Sequence, residues 1–256
     1  MPGPAPLKRL GLRARLLLGF LLVLGLVGAV GITTGMSFIS RTLRDEAMRR
    51  IEIDLGAAWA AYEAERAHVQ TALSLVSQSE PIRTALLPRT VDSALAGELE
   101  GLRKRHDLDI LTLVGADGRV LLRSRTPYHR GDALDQDPIV RRSLGGQAAS
   151  GTILVSADEL RAKGEDLAER AYIPLVYTER AVPTDRTAED RGLVLEATLP
   201  MLDSAGGVRG VLVGGLLLNR KFALVDRIRD TVFGDRTYEG KPVGTVTLFL
   251  GDVRIA

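Results

Sequence analysis

Arginine and tyrosine crowd one short stretch of this chain, Arg123-Ser-Arg125-Thr-Pro-Tyr128, and another tyrosine, Tyr172, lies further along in AYIPLVYT. A guanidinium offers a two-pronged donor for a carboxylate, and a phenol offers a ring face with a hydroxyl. Together they suit a small anion such as an organic acid. GLVLEATLP adds a third group, because a period of two sends Leu193, Leu195, Ala197 and Leu199 to one face and Val194, Glu196 and Thr198 to the other. The Glu196/Thr198 face either lines a pocket or meets water, the default for a half-exposed antiparallel sheet. For Arg123 and Arg125 the plain alternative is a pair of solvated charges at a strand end. The ligand-binding expectation falls on Arg123, Arg125, Tyr128, Tyr172, Glu196 and Thr198.

Catalytic chemistry finds little to work with. The sequence holds no HExxH, GxSxG, P-loop or GxGxxG pattern. Its three histidines, His68, His106 and His129, are isolated from one another, and one histidine makes neither a metal site nor a general base without positioned partners. There is no cysteine, which excludes disulfides, thiol catalysis and thiolate metal sites. No catalytic residue, metal or cofactor is expected.

The elements that position these residues begin with an apolar run. Leu16 to Ile39 carries no charge and as a helix spans about 36 Å, enough for a hydrocarbon core of about 30 Å. Its flank, residues 1–15, holds Lys8, Arg9, Arg13 and Arg15, and all 32 acids lie beyond residue 40. The net charge of +2 therefore reflects one short basic flank and does not point to nucleic acid. By the positive-inside rule the N-terminus is cytoplasmic and Ser40 onward is outside. A cleaved signal peptide shares the basic start, but its apolar core is shorter, so the run reads as an uncleaved anchor. Gly31 and Gly35 form a GxxxG spacing of the kind that lets two anchors pack, although membrane helices are commonly glycine-rich.

Residues 40–80 hold no proline and one glycine, with Leu43, Ala47, Ile51, Leu55, Ala58, Tyr62, Val69, Leu73 and Val76 at helical spacings. This is a long stalk helix with a narrow apolar stripe, either a dimer spine or the backbone of a domain packed along it. His68, Trp59 and Tyr62 read as packing or surface residues.

From Pro81 the pattern changes. VDSALAGELEGLRKRHD reads as a helix, and LDILTLVGADGRVLLRSR as a hairpin turning on Asp-Gly. Asp137-Pro138 opens a helix that Gly145-Gly146 ends, GTILVS is a strand, ADELRAKGEDLAER is helical and AYIPLVYT is a strand. Residues 178–192 are polar and read as a loop. GLVLEATLPMLDSAGGVRGVLVGGLLL is a second hairpin, in which Gly214-Gly215 marks a bulge or a close approach by a ligand or a helix. NRKFALVDRIRDTVFG is an amphipathic helix with Asn219 as its expected cap. Residues 81–235 thus make an α+β module, one antiparallel sheet of about five strands with helices against it. GTVTLFLGDVRIA (244–256) reads as a strand, a Gly-Asp turn and a return strand that cannot complete the same sheet compactly.

In this order, GLVLEATLPMLDSAGGVRGVLVGGLLLNRKFALVDRIRDTVFG, with the Ala-Asp-Gly-Arg hairpin before it, resembles the Cache family of bacterial extracytoplasmic sensors. YIPLVYTERAVPT, GGLLLNRKF and YEGKPVGTVTLFLGDVRIA resemble the double-Cache region of two-component sensor histidine kinases, over roughly residues 40–256. The resemblance implies a PAS-like sheet, with 81–235 as a membrane-distal sensor module and 240–256 as the start of a second. It also implies a small-molecule ligand, a homodimer in the bacterial inner membrane, and an output domain acting on a response regulator. The chain is then the N-terminal part of a longer receptor, its ligand biasing the sheet module against the long helix. The parent's enzymatic activity would be that of a histidine kinase; a chemoreceptor, a diguanylate cyclase or a membrane-tethered enzyme or scaffold is the alternative. The amino-acid-binding subset carries an Arg-x-Trp-Tyr signature, and the one tryptophan here, Trp59, lies in the stalk, so no amino-acid ligand is assigned.

Overall fold

The structure is a computed structural model and describes residues 11–85, 93–176, 184–234, 236–242 and 244–256. The chain divides into two compact units, Met1–Gly56 and Ala57–Ala256. One helix, α1 (Leu12–Ser77), supplies the described part of the first unit and continues into the second. The helix α1 holds no proline over its length, Leu12–Ser77. In the first unit the side chains of Leu16–Ile39 are almost all exposed, and the helix is long and apolar enough to cross a membrane.

The second unit follows as α2 (Glu80–Ala85), α3 (Ser93–Arg105), β1 (Ile110–Gly115), β2 (Val120–Arg123), α4 (Pro138–Leu144) and β3 (Ala149–Val155). Then come α5 (Ala157–Lys163), α6 (Glu165–Ala171), the short strands β4 (Ile173–Pro174) and β5 (Ala188–Glu189), the long hairpin β6 (Gly192–Leu202) and β7 (Val208–Leu217), and α7 (Phe222–Val232). Two small hairpins close it, β8 (Thr237–Tyr238) with β9 (Lys241–Pro242) and β10 (Phe249–Leu250) with β11 (Val253–Arg254). Among the described residues one five-stranded antiparallel sheet runs in the order β2-β1-β7-β6-β3. This is the expected α+β architecture.

The period-two pattern of β6 resolves as the sequence implies. Leu195 and Ala197 face a large cluster with Leu111, Leu113, Leu122, Leu212 and Leu216, closed by Val69, Leu73 and Val76 of α1 and by residues of α3 and α7. Burying one such aliphatic side chain contributes about 1.5–3 kcal/mol, so this layer carries much of the fold. Gly214 faces α1: a Cβ there would meet Leu73 Cδ2 at 2.8 Å, so a helix and not a ligand explains this glycine. The edge strand β3 is tied to α1 as well, through Tyr62 Oη with Thr152 Oγ1 (3.0 Å) and Gln70 Nε2 to Ser150 Oγ (3.0 Å).

The opposite face is covered too. Val194 and Leu217 pack with Leu160, Leu167 and Ala171 of α5 and α6, and Val140 of α4 packs on Val114, Val211 and Val213. Neither face of β6 is left to water, which overturns the half-exposed alternative.

Two local expectations change. Asn219 does not cap α7, whose N-cap is Lys221. Asn219 is buried instead, accepting from Leu193 N (2.8 Å) and donating to Ala171 O (3.0 Å) and Arg191 O (3.1 Å), so it cross-links β6, α6 and β7. AYIPLVYT shrinks to the two-residue β4, which pairs with β5 and not with the main sheet. Its Tyr177 and Thr178, and residues 179–183 of the expected loop, lie outside the described residues. At the other end, Val253, Ile255 and Ala256 are buried, Val246 and Leu248 pack on the main cluster, and Arg220 N donates to Ile255 O (2.7 Å).

Candidate functional site

A cavity of about 740 Å³ opens on the α4/α5 side of the sheet, walled by β2, β3, α5, the start of α4 and the segment leading into it. It is built by register. Arg123 pairs with Thr112, which aligns with Val213 and then Thr198 across the sheet, so Arg123 and Thr198 stand on one face, one near each edge. Glu196 lies two residues back on β6, where its partners on both sides are glycines, Gly151 and Gly215.

Arg123 lines the cavity and is 3% exposed. Its Nη1 donates to the Asp132 carboxylate and to His129 O (3.0 Å), while its Nε is buried without a hydrogen-bond partner. An unmet buried donor on a cation costs about 1–3 kcal/mol or more, so a site that keeps one invites an acceptor from outside. Lys163, at the last turn of α5, is the second buried cation in the lining. Its Nζ donates to Glu196 Oε2 at 3.2 Å, and Glu196, fully buried, has its Oε1 unpartnered. Burial pushes the Glu196 carboxyl above its ordinary range, and the Lys163 ammonium opposes the rise.

Four carboxylates also line the cavity, and each is engaged. Asp132 holds Arg123, and Asp158 pairs with Arg161. Asp137 caps α4 through Ile139 N (2.8 Å) and Val140 N (3.3 Å), with Pro138 in the first turn as its sequence predicts. Glu159 completes a capping box with Ser156, whose amide donates to it at 2.9 Å; this hydrogen bond holds the Glu159 carboxyl below its usual range. Asp132, Asp158 and Glu159 are exposed, whereas Arg123 and Lys163 are buried. The cavity is therefore cationic at its base and acidic at its solvent rim, where charges are screened.

The six residues singled out from sequence divide. Arg123 lines the cavity, and Glu196 stands behind its wall through Lys163. Arg125, Tyr128, Tyr172 and Thr198 do not line it. Arg125 donates to Asp109 O (2.8 Å) and pairs with Asp166, bolting the end of β2 to α6; a Cβ at Gly164, between α5 and α6, would lie 2.6 Å from its Cδ. Thr198 is buried in polar contacts with Ser143 Oγ (2.7 Å) and the carbonyls of Ile139 and Ala149 (3.3 Å each), tying α4 to β6 and β3. Tyr128 and Tyr172 are 37% and 48% exposed, and the Tyr172 carbonyl accepts from Arg220 Nη2 (2.7 Å). Sequence reasoning passed over Lys163. The signal was readable: Lys163 comes three residues after the buried Leu160 on the same face of α5, a cation where an apolar residue belongs.

The architecture is a long N-terminal apolar helix with, among the described residues, a five-stranded antiparallel sheet. Among solved structures the neighbours are sensor domains of histidine kinases, chemoreceptors and a GGDEF protein. The Escherichia coli DcuS sensor domain is 18% identical with a TM-score of 0.39, over 62% of this chain and 96% of that one. The sensor domain of the Vibrio cholerae histidine kinase DctB is 16% identical with a TM-score of 0.44, over 73% of this chain and 58% of that one. The ligand-binding domain of the Campylobacter jejuni chemoreceptor Tlp3, solved with 4-methylisoleucine, is 9% identical with a TM-score of 0.39, over 70% and 59%. All three TM-scores lie below 0.5, and the chain spans less than two thirds of the second and third domains. No protein-family model matches the chain, and no curated protein matches it.

Proposed function

We propose that this chain is the extracytoplasmic small-molecule-sensing region of a bacterial transmembrane receptor, and that its ligand is a small organic anion held in the β2/β3/α5 cavity. The observation that carries this reading is Arg123: a residue only 3% exposed, its Nε unpartnered, in the wall of a 740 Å³ cavity. Structural arginines normally have their donors met. The cavity's size suits a small ligand.

In this reading Leu16–Ile39 anchors the chain in the inner membrane with the basic flank in the cytoplasm. The chain acts as a homodimer, its second Cache-like module begins near residue 240, and the parent receptor passes its signal through a histidine kinase to a response regulator. These features rest on the sequence resemblance. A ligand that draws the α4/α5 side toward the sheet changes the packing layer that α1 shares in this unit, and the shift is bounded by its differential affinity for two states.

The test is thermal stabilisation of the detergent-solubilised full chain by a panel of small mono- and dicarboxylates. A hit that is lost in Arg123→Gln, while that variant melts cooperatively without ligand, supports the reading. Equal stabilisation of both proteins overturns it.

A further inference from the structure

The buried Glu196 goes unused by simple anion capture, yet it shares Lys163 with the cavity. Arg123 and Lys163 are the two buried cations among the residues that line the cavity. Lys163 already donates to Glu196 Oε2, and Glu196 has no other partner: its Oε1 is bare. The flanking strands cannot help, because they present Gly151 and Gly215 at its register. Lys163 of α5 is the one cation in hydrogen-bond contact with Glu196 among the described residues, and Glu159 of α5 and Asp137 at the start of α4 act on it as like charges. Around neighbouring Val194, α6 contributes apolar Leu167 and Ala171.

We propose, building on the anion-sensing reading above, that the Lys163–Glu196 pair makes this cavity a proton-coupled site: an organic carboxylate binds together with a proton that Glu196 takes up. The steps balance. The anion enters and pairs with the Lys163 ammonium, which keeps its three protons. Glu196, left as a buried carboxylate without a counterion, takes one proton from solvent and becomes a neutral acid. The net charge of the pocket is the same before and after. Arg123 is already paired with Asp132, so without that proton the ligand and Glu196 would be two buried anions sharing the Lys163 ammonium, an arrangement that favours one carboxyl neutral. The receptor would then report anion and acidity jointly, binding more tightly in acid.

The experiment is titration calorimetry of the full chain in detergent with acetate, succinate and inorganic phosphate as probes. Titrations are run from about pH 6 to about pH 8 in buffers of different ionisation enthalpy. Expected is binding of a carboxylate probe with uptake of up to one proton and an affinity rising by up to ~tenfold for each pH unit lowered. Glu196→Gln should bind with no proton uptake and a flat pH profile. Lys163→Gln should also lose the uptake, because its Glu196 is protonated before ligand arrives; this variant decides if Glu196→Gln does not fold, and it separates Glu196 from Asp132 as the proton acceptor. Carboxylate binding without proton uptake overturns the inference and leaves the sensing reading standing, as does uptake that survives in either variant. If none of the probes binds, the anion reading falls and takes the inference with it.

Discussion

Replacing Lys163 with methionine isolates Glu196 and gives a stability change whose sign depends on pH. The ammonium is 9% exposed and its partner carboxylate 0% exposed, at 3.2 Å. Removing one member of such a pair costs about 3–5 kcal/mol if the survivor stays charged. A buried carboxyl escapes by protonating, so its folded pKa, already raised by burial with lysine present, rises further without it. A carboxyl with a raised folded pKa binds more protons folded than unfolded, so stability falls as pH rises from the unfolded value of 4.5 toward the folded one. Lys163→Met should therefore be destabilised by about 3 kcal/mol near pH 8 and by ~1 kcal/mol or less near pH 5, where Glu196 is neutral and a methionine fills the lysine's space. The double variant Lys163→Met/Glu196→Gln should recover most of the loss at pH 8, a coupling that a cycle isolates. The assay is urea unfolding of the detergent-solubilised chain, read as hydrogen exchange of β6 and β7 amides so that α1 does not dominate the signal. A loss at pH 8 no larger than at pH 5 would refute the reasoning about Glu196.

Further outcomes follow from the packing and the ion pairs. Gly214→Val places side-chain atoms into Leu73 and should cost about 1–3 kcal/mol in urea unfolding, with Leu73→Ala on the other side of the contact costing about 2–5 kcal/mol. Thr198→Val removes the hydroxyl bonded to Ser143 and should cost about 1 kcal/mol while leaving ligand affinity within twofold, since Thr198 does not line the cavity. Glu189, gripped by the Arg191 side chain (Nε to Oε1, 2.7 Å), has its carboxyl held at about 2. Its folded pKa lies below its unfolded one, so its contribution is present above about pH 4.5 and is lost as pH falls toward 2; with both arginine partners 42% exposed, screening limits it to ~1 kcal/mol. Acid titrations of wild type and Glu189→Gln should accordingly converge near pH 2.

Much of this architecture is legible in the residues because it rests on local rules. The Asp-Gly hairpin of β1–β2, the Asp137-Pro138 start of α4 and the alternation along β6 are each written in a few consecutive side chains. The misreadings come from tertiary pairing. Asn219 carries a capping residue's chemistry, yet three backbone groups from distant segments claim its side chain. AYIPLVYT has strand composition, but β3 occupies the sheet edge beside β6. For the site, Arg123 and Glu196 could be nominated from residue type and strand face. Arg125 could not be told from Arg123, because two residues on the same strand end differ only in whether Asp109 and Asp166 wait nearby. Lys163 needed the inward stripe of α5 to be set against its charge.

The most direct measurement is the side-chain NMR signal of Arg123 Nε–H, in full chain carrying isotope-labelled arginine and assigned with Arg123→Lys, recorded while a carboxylate that stabilises the protein is added. Capture of the anion at the base of the cavity predicts that this one resonance shifts strongly and saturates with binding, while those of Arg125 and Arg103, whose Nε protons already have acceptors, barely move. A stabilising ligand that leaves the Arg123 signal in place would contradict it.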